Sequence, residues 1–168
     1  MGNEYLRKAP CLAVDPPRLE DKPPGILTPE QCAAQLHCCR ESEPALLPTL
    51  ALCLFAGIRP EEARRLTWAD IGPEFVNIPA AKAKTRQRRL VTITPQLRDW
   101  LDLGRQLGGL LPVSNYSNRF NRVRRLDKLF DGWPPDAMRH IFASYHYAKH
   151  RNENTKTRPP PKWATRRK

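Results

Sequence analysis

The sequence predicts an α+β fold that is mainly helical and carries a small antiparallel β-sheet. Three observations lead there. Helix-start signals recur along the chain, beginning with the run Thr28, Pro29, Glu30 and Gln31. The stretch Ala45 to Ala56 is apolar nearly all round, the mark of a helix buried on every side. Two short stretches rich in β-formers, Phe75–Ile78 and Arg89–Ile93, are joined by a basic connection, as in an antiparallel ribbon.

Residues 1–27 hold Pro10, Pro16, Pro17, Pro23 and Pro24 among scattered charges, a composition that disfavours helix and is expected to form an arm or linker with no core. Thr28 is an N-cap, Pro29 a first-turn proline and Gln31 a capping-box partner, so a helix is expected over about 29–41. Pro44 restarts the chain into the buried helix, and Gly57 is placed to end it in the left-handed conformation. A short helix is expected from Pro60 to about Thr67, followed by a turn through Trp68, Asp70, Gly72 and Pro73. After the two strands, helices are expected over Pro95–Leu107, Ser117–Phe130 and Pro135–Lys149, with Gly108 and Gly109 separating the first two. Beyond Arg151 the text turns polar, basic and proline-rich, so a disordered tail is expected over 151–168. Residues 28–150 are left as one domain.

The net charge of +12 and pI near 10.0 point to a polyanionic partner, with nucleic acid ahead of a membrane surface. The charge is uneven. Residues 1–80 hold 8 Lys and Arg against 11 Asp and Glu, and residues 81–168 hold 21 against 6, so the second half is expected to make the contact. Cys11, Cys32, Cys38, Cys39 and Cys53 are odd in number and lack zinc or disulfide-framework spacing, which reads as reduced thiols and no metal. His37 lies beside Cys38 and Cys39, but adjacent helical residues face different ways, which favours packing over a metal cluster. No apolar run of membrane-spanning length occurs, and a cytoplasmic, nucleoid-associated protein is expected.

Three features then occur in order. Arg59, in the run Gly57-Ile58-Arg59-Pro60-Glu61-Glu62, stands at the start of a helix that follows a buried one, where free N–H groups can assist an anion. Lys82, Lys84, Arg86, Arg88 and Arg89 crowd the connection between the strands, which suits a phosphate backbone. Asp136 and Arg139 are three apart at the head of a helix that continues His140-Ile141-Phe142-Ala143-Ser144, so they can address one anion together. Each feature alone also has a plain reading: a turn-capping arginine, a solvated charge run at a sheet edge, a local salt bridge.

Together these residues resemble the catalytic domain of tyrosine recombinases, the phage integrase family, over roughly residues 28–150. Gly57, Ile58, Arg59 and Glu62 match the family's Gly-Leu-Arg-x-x-Glu box. Lys84 precedes Arg89, Leu90 and Val91 as the family's hairpin lysine precedes Arg-x-Val. Asp136-Ala137-Met138-Arg139-His140-Ile141-Phe142-Ala143-Ser144 matches His-x-Leu-Arg-His-x-Phe-Ala-Ser, with Asp136 where the family usually has histidine.

The resemblance implies transesterification on double-stranded DNA with no metal and no cofactor, leading to DNA integration or site-specific recombination. A tyrosine attacks a phosphodiester, a 3′-phosphotyrosyl link forms and a 5′-hydroxyl leaves. Arg59 and Arg139 would clamp the nonbridging oxygens, because guanidinium forks match phosphate and keep their charge. Lys84, or Lys82 if the hairpin register differs by a residue or two, would protonate the leaving oxygen. Asp136 would take up the tyrosine proton or orient Arg139, and Glu62 would support Arg59. Lys82, Arg86, Arg88 and His140 are the expected DNA contacts, and other recombinase protomers are possible partners.

The family's later Leu-Gly-His and its nucleophilic tyrosine have no counterpart here. Tyr145 and Tyr147 lie too close to Arg139, and Trp163 falls near the family's later histidine or tryptophan by coincidence. The expectation is a fold without its last helices, shortened by truncation or frameshift near Asn152, without the family's N-terminal clamping domain and silent by itself. Two rivals stay open: a noncatalytic DNA-binding regulator that reuses the fold, and an RNA-binding protein whose stacking aromatics would be Tyr116 and Phe120.

Overall fold

Thr28 opens the first helix as its side-chain oxygen accepts from the Gln31 amide at 3.2 Å, while the Gln31 side chain accepts from the Thr28 amide at 2.9 Å. This reciprocal cap starts α1, Pro29–Ser42, in a computed structural model that describes residues 25–126, 133, 134 and 136–150. The helices that follow are α2 (Leu47–Ala56), entered through a single 3-10 turn at Pro44–Leu46, and α3 (Pro60–Ala63). Strands β1 (Phe75–Ile78) and β2 (Arg89–Thr92) come next, then α4 (Pro95–Gln106), α5 (Tyr116–Leu126) and α6 (Ala137–His150). The described residues are thus mainly helical, with one two-stranded antiparallel sheet.

The core is built around α2. Of its ten residues only Phe55 is not buried, and α4 and α6 pack against it from the later chain. Gly104 of α4 lets that helix approach closely, since a Cβ there would lie 2.9 Å from the ring of Pro48. Gly57 ends α2 with φ +61, as the turn residue type requires. A Cβ on Gly57 would fall 2.3 Å from the Phe142 ring of α6, so this glycine also sets how closely α6 approaches the end of α2.

In the sheet Phe75 pairs with Thr92, Val76 with Val91, Asn77 with Leu90 and Ile78 with Arg89. Val76 and Ile78 are buried, and Leu90 on the opposite pleat is exposed.

Several boundaries differ from the sequence-based expectation. The short helix stops at Ala63 and not near Thr67, because the Arg65 and Leu66 amides turn back to Glu62 and Ala63 in a tighter turn. The arm does not run to residue 27: Leu27 is 4% exposed and belongs to the core, and its carbonyl accepts from the Tyr145 hydroxyl at 2.9 Å. The rest of the arm (1–24), the end of the helix expected to reach Phe130, and the tail at 151–168 lie outside the described residues.

Part of the basic charge serves the fold. Buried Glu43, at the end of α1, accepts from Arg119 and Arg122 of α5. Burial pushes the Cys32 thiol up to about 11 and the Cys39 thiol up to about 12. Among the described residues no helix is long and apolar enough to cross a membrane, and no group of three or more His, Cys, Asp or Glu is placed to hold a metal ion.

Candidate functional site

Arg59 leaves the core with little freedom. The turn at Gly57 precedes it, Ile58 is 1% exposed, and Pro60 follows at the first position of α3. Its amide donates to Glu62 Oε2 at 3.3 Å, and its guanidinium lies 3.7 Å from Glu62 Oε1. Of the amides at this helix start, those of Arg59, Glu62 and Ala63 are already hydrogen-bonded within the chain. α3 is only four residues long, its Glu62 and Ala63 amides bond back to the Arg59 carbonyl, and the Glu62 carboxylate occupies the Arg59 amide.

The connection between the strands folds into turns closed by the Lys82 and Ala83 amides on the Pro79 carbonyl and the Arg86 amide on the Ala83 carbonyl. Ala83 is buried, and the side chains of Lys84 and Arg86 project to the exposed side. The Lys84 amide donates to Glu62 Oε1 at 2.9 Å. Arg89, at the first position of β2, forks the same carboxylate with Nη1 at 3.1 Å from Oε1 and Nη2 at 2.6 Å from Oε2.

Glu62 is therefore the joint of the site. Its side chain is 1% exposed and ties the Arg59 segment, the Lys84 turn and strand β2 together. The Arg89 fork, with the Lys84 and Arg59 amides, holds its carboxyl down at about 2 against the opposing effect of burial. The same pairing raises the Arg89 guanidinium.

α6 supplies the third part. Asp136 precedes it in the left-handed region at φ 51, which aspartate tolerates better than most residues, and its carbonyl accepts from the Arg139 and His140 amides. Asp136 and Arg139 are both exposed. Together with Arg59, Glu62, Lys84 and Arg86 they line a single cavity of about 990 Å³. Three segments that are distant in sequence thus bring the basic residues Arg59, Lys84, Arg86 and Arg139 to one hollow.

Three expected contacts stand elsewhere. Lys82 does not line the cavity: its ammonium pairs with Asp70 at 2.5 Å. Burial pushes the Asp70 carboxyl up, but hydrogen bonds from Lys82 and Thr67 together outweigh that and hold it below its usual range. Arg88 also stays off the lining and donates from Nε to Asn77 Oδ1 at 3.1 Å. His140 is half-buried and absent from the cavity wall, since it follows Arg139 by one residue and faces another way on the helix.

Sequence reasoning missed two parts. Arg89 was placed in the basic run and at the head of Arg89-Leu90-Val91 with no partner assigned, yet it pairs across the sheet with fully buried Ile78, so its side chain shares the inner face and requires a carboxylate. The alternation in β1 was the available signal. The second part is the apolar share of the cavity lining, to which Tyr116, Phe120, Trp133, Ala137 and Met138 contribute. Tyr116 and Phe120 are 8% and 7% exposed, so they are not the surface stacking aromatics of the RNA-binding alternative. Burial pushes the Tyr116 phenol well above its usual range, and Arg64 stands over its ring. Comparisons with family models, with curated proteins and with solved structures found no match to this chain.

Proposed function

We propose that this chain is the phosphate-gripping part of a tyrosine recombinase catalytic domain, and that it binds double-stranded DNA through the cavity lined by Arg59, Lys84 and Arg139. The observation that carries the reading is the convergence of those three side chains, predicted from three separate motifs, on one hollow. Two guanidinium groups can fork the nonbridging oxygens of a phosphodiester, where charge grows during displacement. The exposed Lys84 ammonium in the same lining is suited to deliver a proton to the departing 5′-oxygen. The Glu62 carboxylate fixes the segments that carry Arg59 and Lys84 without touching the DNA, and Asp136 beside Arg139 can orient it or accept a proton.

The 168-residue chain binds without cutting. Two of its four tyrosines are occupied by the fold: Tyr116 is buried with a raised pKa, and the Tyr145 hydroxyl donates to the Leu27 carbonyl. That observation also favours a second reading, a regulator that keeps the DNA grip and never catalyses.

Trapping on nicked duplex DNA tests the proposal, since a nick prevents religation and accumulates any phosphotyrosyl adduct. The proposal predicts salt-sensitive binding, no adduct, and weaker binding in R59A and R139A. An adduct on any tyrosine contradicts the silent chain, and R59A and R139A that bind like the parent contradict the grip. Retention of the cellular effect in R59A favours the regulator.

A further inference from the structure

The cavity is larger than a phosphate requires, and only part of its lining is cationic. Its volume, about 990 Å³, is at the upper end of what encloses a whole organic ligand. The same lining includes an aromatic cluster in which Tyr116 and Phe120 stack at 5.5 Å and Phe120 meets Trp133 edge-on at 5.1 Å. Arg64 lies over the Tyr116 ring at 5.3 Å and Arg124 over Trp133 at 5.2 Å, and neither arginine lines the cavity. Of the three aromatic residues Trp133 alone is half-buried, and Tyr116 and Phe120 are buried.

From this juxtaposition we propose that the cavity is a nucleotide site: the basic side chains hold a phosphate while an unpaired base of the same DNA strand stacks on Trp133. The proposal rests on the DNA-binding reading above and adds the base to it. Aromatic rings accept any base through its π-face, so stacking without sequence preference follows. A base inside intact duplex cannot reach the aromatic cluster, so the preferred ligand carries an unpaired nucleotide next to the gripped phosphate, as at a nick or a flap.

The test compares two fluorescently labelled nicked duplexes, one with a single unpaired nucleotide at the nick and one with an abasic residue in its place, by anisotropy with the 168-residue chain. The base-bearing ligand binds about five- to a hundred-fold more tightly, the range for one base stacked on an aromatic side chain. W133L abolishes the difference between the ligands, and W133F restores part of it; circular dichroism of both variants confirms the fold. R59A weakens both ligands alike. Equal binding of the base-bearing and abasic ligands overturns the nucleotide site while leaving the phosphate grip intact. Insensitivity of both ligands to R59A overturns the underlying reading instead. A preference for the base that survives in W133L overturns the assignment to Trp133.

Discussion

Replacing Glu62 by glutamine keeps the shape of the joint and removes its charge. The Glu62 carboxyl is held at about 2 against an ordinary 4.5, so folding has stabilised its charged form by roughly 3 kcal/mol. The Arg89 side chain that supplies most of this is 34% exposed, and solvent screening reduces the figure to about 2 kcal/mol. A carboxyl whose pKa falls on folding contributes fully above its unfolded value and loses that contribution as pH drops through the folded value, here from about 4.5 down toward 2. Urea denaturation followed by circular dichroism at pH 7 and pH 3 is the assay. E62Q is expected to be about 2 kcal/mol less stable than the parent at pH 7, with a clearly smaller gap at pH 3. A gap of the same size at both pH values, or none at pH 7, refutes the claim that this buried carboxylate joins the site.

Three further outcomes follow from the packing. Gly57→Ala is expected to cost about 2–5 kcal/mol, the sum of a strained left-handed residue and overpacking against Phe142, and the added change F142A should recover part of it in the same urea titrations. K82A should lower stability by about 1 kcal/mol through loss of the Asp70 pair while leaving the salt dependence of DNA binding unchanged, whereas R59A and R139A should each reduce the slope of log K against log salt by about 1. Cys39 and Cys53 should be modified by a thiol reagent at pH 8 only at the rate of unfolding, as read by mass mapping, because burial keeps both thiols protonated and covered.

Local signals made most of the fold legible. The capping box at Thr28, the apolar run before Gly57 and the two β-rich stretches each depend on neighbours in sequence, and each element was found within a few residues. The end of α3 was misplaced because nothing in Arg64-Arg65-Leu66 distinguishes a helical turn from a tighter one. Arg59, Lys84, Asp136 and Arg139 were legible because their motifs keep an order that survives without coordinates. What stayed hidden depends on tertiary pairing. Lys82 and Lys84 look equivalent in the sequence, and only the folded position of Asp70, twelve residues earlier, separates them. The aromatic cluster joins α5 to Trp133 across a gap that no periodicity spans.

Whether Arg59 and Arg139 grip one phosphate can be measured with a series of nicked duplexes, each carrying a single neutral methylphosphonate, titrated against the parent, R59A and R139A. A common grip predicts one position at which the methylphosphonate weakens the parent yet adds little to the loss already caused by either arginine substitution, a coupling of about 1 kcal/mol or more. Full additivity at every position would mean that the two arginines hold no phosphate in common, and the account of this cavity would be wrong.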